Sequence, residues 1–322
     1  MRVCKLFAFL SLVGGVCGHS LPSHAQLSSE LVRWKWAALR ESGTPEAAVA
    51  ELCREIDARY LKLGWKKSRC SEFPFQIFGW SVENRPLIFY KAPTTQVTNK
   101  LSLLQCGIHG DEVTAVPMCL MMLGEVFDGK KVLPEGLGFI VQPLLNPDGF
   151  LAPTVQRPNA NGVDLNRNFT TSEWEKQALK YWADKDKKDP RKFPGERSSS
   201  EPEVHAIVDF IEQYKPQKII SIHTPLGFLE LDSRGDKDTV RRAKFLAINM
   251  VHNAKNLNFI SYGIWPGSLG NYAGVHLKIP VYTMELPPGT SLKSKMRHWD
   301  YYGFSLWRAI QFDLETGTFR ED

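Results

Sequence analysis

The sequence predicts an α/β fold in which a mostly parallel mixed sheet is flanked by helices, with a short helical extension at the N-terminus. From Pro74 onward, short apolar runs alternate with amphipathic helical patterns, as strands and helices do in such sheets. The 322 residues, of which 43% are hydrophobic and 23% charged, suit a globular chain of one large domain or two ordinary ones. The polar residues with the most distinctive chemistry directly follow apolar runs, and ligands of parallel sheets bind at those strand ends.

The N-terminus has the pattern of a signal peptide. Two basic residues precede an apolar core at residues 6–16, which is too short to span a bilayer. Small residues favour cleavage before Gln26, so we predict a signal peptide at 1–25. We therefore expect an exported protein, periplasmic or secreted, with no stable membrane insertion after signal cleavage. An uncleaved anchor is the alternative, and lipidation at Cys17 is disfavoured by the bulky residue before it.

Net charge and cysteine content limit the function classes. The 40 basic and 35 acidic residues give a formal charge of +5, and the basic residues form no cluster, so we expect no nucleic-acid partner. Cys53 and Cys70 flank one short segment and could close it with a disulfide, as exported proteins permit. We interpret Cys106, inside an apolar run, as a small buried hydrophobic residue.

Helical and strand patterns divide the chain into an extension at residues 26–73, interpreted as a packing pair of helices, and a larger domain at 74–322. In that domain the predicted strands cover residues 75–78, 86–90, 101–108, 139–144, 218–222 and 280–284. The predicted helices cover residues 46–63, 113–127, 203–214, 239–254 and 299–314.

Three residues of metal-ligand type follow two of the apolar runs. His109 and Glu112 come after the run at 101–108, and His223 comes after the run at 218–222. Two imidazoles and one carboxylate form a ligand set for a catalytic zinc, because they leave one coordination position for water. Glu112 is expected to open the following helix. Glu285 follows a third apolar run, at the same edge of the predicted sheet.

A glycine-containing loop at residues 157–169 holds two arginines and several amides. The rigid fork of an arginine suits a carboxylate or a developing oxyanion, which favours a binding role for Arg157 and Arg167. Alternatively, Arg167 pairs only with a neighbouring acid.

Taken in order, these blocks resemble the zinc carboxypeptidases related to carboxypeptidase A, over residues 74–314. The motifs that carry the resemblance are His109-x-x-Glu112, Asp164-Leu165-Asn166-Arg167-Asn168, His223 and Glu285. Four segments resemble one branch in particular, the bacterial murein peptide amidases, which cleave the bond between γ-D-glutamate and diaminopimelate. They are His109-Gly110-Asp111-Glu112, Gly162–Phe169, Ser200-Glu201-Pro202-Glu203 and Pro266-Gly267-Ser268-Leu269. The resemblance implies a zinc carboxypeptidase-like catalytic domain, one Zn²⁺ per chain and a peptidoglycan-derived peptide substrate.

The resemblance also implies a role for each matched residue. His109, Glu112 and His223 would hold the zinc, with Asp164 accepting a hydrogen bond from His109. Glu285 would be the general base and Arg157 would polarise the scissile carbonyl. The groups expected to bind substrate are the carboxylate clamp Asn166 and Arg167, the mobile tyrosine Tyr262, and Ser268.

The sequence defines less clearly which residues recognise the side chain of the leaving residue of the substrate. Leu269 occupies the position that, by resemblance, helps to select this side chain, and it offers no anion. Glu230, Asp232 and Ser268 are candidates for a polar group there, although we predict a solvated loop for Glu230 and Asp232.

Two other functions fit parts of the pattern. An acyl-amino-acid deacylase would share the metal ligands, but the complete 164–168 block and the Thr283-Met284-Glu285-Leu286 ending argue against it. A non-catalytic, zinc-bearing cell-wall binding module would not require the acid Glu285.

Overall fold

The structure is a computed structural model that describes residues 24–94, 98–261, 263 and 265–320. The predicted signal peptide lies outside these residues except for its last two positions, and Tyr262 also lies outside them. Within the described ranges, no helix combines the length and hydropathy needed to cross a bilayer.

One mixed sheet forms the centre of the fold, which confirms the predicted class. In the described chain its eight strands lie in the order β1-β2-β4-β3-β5-β8-β6-β7. The strands are β1 (Gln76–Trp80), β2 (Pro86–Lys91), β3 (Leu101–Cys106), β4 (Gly138–Gln142), β5 (Lys218–His223), β6 (Phe228–Asp232), β7 (Asn258–Ile260) and β8 (Val281–Glu285). The central strands β4, β3, β5 and β8 run parallel, whereas β1–β2, β2–β4 and β6–β8 pair antiparallel. A short hairpin of β9 (Phe312–Asp313) and β10 (Thr318–Phe319) follows.

Helices cover both faces of the sheet. They are α1 (His24–Ser42), α2 (Pro45–Lys62), α3 (Ala115–Phe127), α4 (Pro147–Leu151), α5 (Trp174–Asp184), α6 (Pro202–Tyr214), α7 (Lys237–His252) and α8 (Leu292–Gln311). A π-helical segment, Gly270–His276, precedes β8. Side chains alternate between two cores because successive strand residues point to opposite faces: Leu104 joins the core with α2, α3, α7 and α8, whereas Leu103 joins the core with α6.

The N-terminal helices pack on the main core, as the interpretation of 26–73 as a packing pair requires. Helix α2 begins at the N-cap Thr44, whose hydroxyl accepts a hydrogen bond from the Ala47 amide. Its residues Ala48, Leu52, Ile56 and Tyr60 recur every fourth position and are buried. The division into an extension and a catalytic domain itself stays a prediction.

Four of the six cysteines form two disulfides within the described residues. Cys53–Cys70 closes the predicted segment and ties α2 to the turn after it. The interpretation of Cys106 as an unpaired hydrophobic residue is wrong, because it is bonded to Cys119. Cys106 ends β3 and Cys119 lies in the second turn of α3, with their Cα atoms 6.2 Å apart.

Several element boundaries differ from the predicted ones. Glu112 does not open a helix, since it lies in a turn and α3 begins at Ala115. The predicted solvated loop at Glu230 and Asp232 is also wrong, because both residues belong to β6. Helix α8 begins at Leu292, well before the predicted start, because the Ser291 hydroxyl caps it by accepting from the Ser294 amide.

Candidate metal centre

The carboxyl ends of three neighbouring strands define the site. Strand β3 leads into the turn that holds His109 and Glu112, β5 ends at His223, and β8 ends at Glu285. His223 and Glu285 are paired in the register of β5 and β8. The turn is tight because Gly110 lies against Gly149, where an added Cβ would come within 2.2 Å of the Gly149 carbonyl carbon.

The predicted convergence of the three ligand-type residues is confirmed. One ligand atom from each of His109, Glu112 and His223 lies within 4.8 Å of the others, and all three residues are buried. The Nδ1 atoms of His109 and His223 are 2.7 Å and 3.1 Å from the two Glu112 carboxylate oxygens. Burial alone would raise the pKa of Glu112, but the two imidazoles hold it below its usual range. Among the described residues, no other group of three such side chains comes together.

The orientation of the imidazoles fits a zinc site. The outer nitrogen of His109, Nε2, is 3.1 Å from Asp164 Oδ1, as the sequence predicted. The outer nitrogen of His223 is 3.1 Å from the Ser221 hydroxyl, which donates to the Gln105 side chain at 2.7 Å. Both Nδ1 atoms are therefore directed toward Glu112 and available to a metal, as in sites whose ligands are oriented by outer partners. The donor set of two nitrogens and a carboxylate fits zinc.

Asp164 connects the metal ligands to Arg157. Its Oδ2 accepts a hydrogen bond from Arg157 Nε at 2.8 Å, while Arg157 Nη1 lies 3.4 Å from Glu112 Oε1. Asp164 is fully buried, which opposes its ionisation, but Arg157 and His109 hold its pKa well below the usual range. Arg157 is thereby fixed beside the metal ligands.

Glu285 lies beside the metal ligands, at the end of β8, and lines the cavity that extends from them. Its Oε2 accepts a hydrogen bond from the Leu226 amide at 3.4 Å, and only 8% of the residue is exposed. Burial raises the pKa of Glu285 to about 7, and the nearby Glu112 charge adds to this effect. A carboxyl group with this pKa suits proton transfer near neutral pH.

A cavity of about 200 Å³ extends from the metal ligands. Its lining includes Arg157, Asn166, Arg167, Ser268 and Glu285, so the structure brings these predicted site residues together. Asn166 is held in place because its Oδ1 accepts the Leu269 amide at 2.8 Å.

Arg167 is a cation on the wall of this cavity, where the charges of Asp164 and Asp186 partly offset its burial. Within the described chain it forms no salt bridge, which contradicts the alternative that it pairs with a neighbouring acid. Its guanidinium donates to the Asn166 carbonyl at 2.7 Å and lies over the Trp265 ring at 4.9 Å. Burial lowers the pKa of Arg167, and a ligand anion would relieve this unfavourable environment.

Some residues of the site were not predicted. Ser221 and Gln105 orient His223, and the signal for Ser221 was its position two residues before His223, on the same face of β5. Glu230 and Asp232 were predicted as candidates for this site but were placed in a loop, whereas they line the cavity from strand β6. The sequence pattern that could have predicted this strand is the alternation of Leu229 and Leu231 with more polar neighbours, which is typical of a half-buried strand.

Comparison with known proteins agrees with this geometry. A model of the zinc carboxypeptidase family matches residues 66–228, half of the chain. Murein peptide amidase A of Vibrio campbellii is 30% identical over 227 residues, covering 70% of this chain and 84% of that relative. Murein peptide amidase A of Escherichia coli K12 is 30% identical over 216 residues, covering 66% of this chain and 81% of that relative. The chain therefore belongs to the zinc carboxypeptidase family, and it is a zinc-dependent metallohydrolase.

Two solved structures share this fold. The murein-tripeptide amidase from Escherichia coli O157 matches with a TM-score of 0.53 and 26% identity, over 74% of this chain and 92% of that one. Carboxypeptidase A from Helicoverpa armigera matches with a TM-score of 0.60 over 91% of this chain and 80% of that one. At 20% identity, the second match supports the fold alone.

Proposed function

We propose that this zinc hydrolase removes a terminal residue with a free carboxylate from a peptide. The observation that carries the proposal is one cavity lined by the two imidazoles of the metal site and by the guanidinium of Arg167, which forms no salt bridge within the described residues. A carboxylate bound by Arg167 and Asn166 would fix the terminal residue, so that cleavage occurs next to the chain end. We further propose that the substrate is a peptidoglycan-derived peptide cut between γ-D-glutamate and diaminopimelate, a reaction that the similarity to murein peptide amidases supports.

Each side chain of the site has a separate role in the proposed hydrolysis. His109, Glu112 and His223 would hold the zinc, which would supply Lewis-acid chemistry and lower the pKa of a bound water molecule. Glu285 accepts a proton from the attacking water and returns it to the leaving amine, a role that its raised pKa suits. Arg157 stabilises negative charge on the scissile carbonyl oxygen, while Asp164 holds both Arg157 and His109 in position. Tyr262 and Ser268 are proposed to contact the substrate, Ser268 from the cavity wall.

The location of the enzyme follows from the predicted signal peptide. We propose that the protein is exported to the periplasm or secreted, where peptidoglycan peptides are accessible. Amino-terminal sequencing of the protein recovered from periplasm or medium tests this proposal, and a chain that starts at Gln26 is the expected result.

A digest of purified muropeptides compares the wild type with Glu285→Gln. We expect the wild type to release diaminopimelate from tripeptide stems, and Glu285→Gln to retain zinc but lose activity by at least ~100-fold, because general base catalysis contributes this much. Zinc content by elemental analysis is the control for folding of the site. Equal activity of the two proteins would exclude Glu285 as the base. Release of an acyl group instead would indicate a deacylase, and bound zinc without any turnover would indicate a binding module.

A further inference from the structure

The backbone of Arg157 is held by the short helix α4, which packs against the turn of the metal ligands. The Arg157 carbonyl accepts hydrogen bonds from the Asn146 side chain at 3.1 Å and from the Gly110 amide at 3.4 Å. Asn146 also caps α4, since its Oδ1 accepts the Gly149 amide, and the Gly149 carbonyl accepts the Gln156 amide at 3.1 Å. The position of α4 therefore determines where the backbone of Arg157 lies.

A buried carboxylate, that of Asp148, joins α4 to the turn between β1 and β2. Its Oδ1 accepts hydrogen bonds from the Ser81 hydroxyl and from Arg85 Nη1, both at 2.8 Å. Its Oδ2 accepts the Glu83 amide at 2.9 Å. Asp148 and Arg85 are both buried, so water and salt screen their attraction little. Asp148 therefore fixes α4 against this turn, although it does not itself line the cavity.

The N-terminal extension supports this attachment from the other side of Arg85. Glu55 in α2 accepts a hydrogen bond from Arg85 Nε at 3.0 Å. Burial opposes the charge of Arg85, but Asp148 and Glu55 together hold its pKa above the usual value. One turn further along α2, Arg59 donates to the carbonyl of Ala152, the residue that follows α4. The extension thus acts on α4 through Arg85 and contacts the segment after α4 through Arg59.

The chain beyond Arg157 is attached to the same turn. The side-chain nitrogen of Asn159 donates to Glu201 at 2.7 Å and to Glu203 at 3.1 Å, and all three residues are buried. The second oxygen of Glu203 accepts the Val82 amide at 3.1 Å. The turn between β1 and β2 is therefore connected to the chain on both sides of Arg157.

These attachments bear on the reaction because a cation that stabilises a developing charge must be placed accurately. Such a donor acts at hydrogen-bond distance from the reacting oxygen, and a displacement of about 1 Å can lower the rate ~100-fold. Asp164 orients the guanidinium of Arg157, whereas α4 fixes its backbone. A shift of α4 would therefore move Arg157 away from the position that Asp164 alone cannot restore.

We propose that Asp148 is a positioning residue for Arg157, and that Glu55 of the N-terminal extension supports it through Arg85. The inference rests on the proposed function, in which Arg157 stabilises negative charge on the scissile carbonyl oxygen. The extension then contributes to the catalytic rate as well as to the hydrophobic core. Asp148 acts only through the backbone that carries Arg157, because its own oxygens are occupied by Ser81, Glu83 and Arg85.

A double-mutant cycle on murein tripeptide tests the inference. We expect Asp148→Asn to lower kcat by ~10- to 100-fold with little change in KM, because a displaced Arg157 loses a contact made only in the transition state. Arg157→Ala should lower kcat by ~100- to 1,000-fold, the cost of removing one oxyanion donor. Asp148→Asn added to Arg157→Ala should lower kcat no further, because no guanidinium remains to be positioned. A purely structural role of Asp148 would give losses that add.

A second variant guards against a loss of folding. Arg85 keeps its ion pairs with Glu55 and Glu83 in Asp148→Asn, so we expect the chain to fold. Glu55→Gln leaves Asp148 in place, and it should lower kcat in the same direction but by less. Glu46→Gln, at an exposed acid of the same helix, is the matched control and should leave kcat and KM unchanged.

Amide hydrogen exchange of the metal-free proteins provides a readout without turnover. Asp148→Asn should accelerate exchange at residues 156–164 and leave β3 and β5 unchanged, because the opening is local. This result in a protein that does not cleave murein tripeptide would retain the positioning of the Arg157 segment and reject the proposed substrate. Unchanged exchange together with additive losses of kcat would overturn the inference while the proposed function stands. A wild-type kcat in Arg157→Ala would overturn the inference together with the role assigned to Arg157.

Discussion

At the scale of single residues, Asp164 determines the geometry of the site more than any residue that would touch the metal. Its two oxygens accept hydrogen bonds from His109, Arg157 and the Asn166 amide at distances of 2.8–3.1 Å, and the residue is fully buried. One carboxylate thus orients a metal ligand, a cation beside the ligands and the segment that carries the proposed carboxylate clamp. Its negative charge also favours a metal-bound His109, because it stabilises the proton on the outer ring nitrogen.

Asp164→Asn tests this role. The amide retains the shape but loses the charge, so we expect the zinc affinity to fall on the order of 10- to 100-fold. Titration with a competing chelator measures the change, and Asp238→Asn, at an exposed acid of α7, serves as the control. An unchanged zinc affinity together with lost activity would mean that Asp164 acts only through Arg157.

At the scale of secondary-structure elements, the Cys106–Cys119 disulfide closes the loop between β3 and α3 that contains both His109 and Glu112. The second disulfide, Cys53–Cys70, closes a segment of comparable length with a sequence separation of 17, against 13 for the first. All four cysteines are buried. The two crosslinks therefore differ mainly in whether they enclose metal ligands.

This contrast gives a prediction about zinc retention. Replacing Cys106 and Cys119 by alanine, or Cys53 and Cys70 by alanine, should lower the free energy of unfolding by about 3 kcal/mol in each case, because loops of this size cost similar entropy to close. Only the first pair of substitutions should accelerate zinc loss, since only that loop positions ligands. Urea unfolding of the metal-free proteins and the rate of zinc transfer to a chelator measure the two effects. Equal zinc transfer rates in both double variants would contradict the prediction.

The elements also show what the sequence could predict. The parallel strands β3, β5 and β8 were predictable because they are buried runs, and their carboxyl ends located His109, His223 and Glu285 correctly. Strand β6 was missed because Glu230 and Asp232 interrupt its apolar pattern. These two side chains are polar at positions that face the cavity and not the hydrophobic core. The partner of Cys106 could not be inferred, since it depends on how α3 is rotated against β3.

At the scale of the whole molecule, the N-terminal helices are part of the core that supports the catalytic edge of the sheet. Helix α2 shares one hydrophobic cluster with α3, α7, α8 and the central strands. The Trp65 indole, just after α2, donates a hydrogen bond to the Thr290 carbonyl at 3.0 Å, which joins the extension to the start of α8. The predicted boundary at residue 74 therefore crosses a continuous core, and we expect the two parts to unfold together.

Ile56→Ala tests whether the extension and the larger domain form one cooperative unit. Ile56 is fully buried in α2, and truncating such a side chain costs about 2–5 kcal/mol because it leaves a cavity. In a single cooperative unit, this loss should shift the unfolding of the entire chain, followed both by tryptophan fluorescence and by release of zinc from the distant site. Leu61→Ala, at an exposed position of the same helix, should leave both transitions unchanged. If Ile56→Ala shifts the fluorescence transition while zinc release keeps its wild-type midpoint, the extension unfolds independently, and residues 26–73 form a separate unit from the domain that holds His109 and His223.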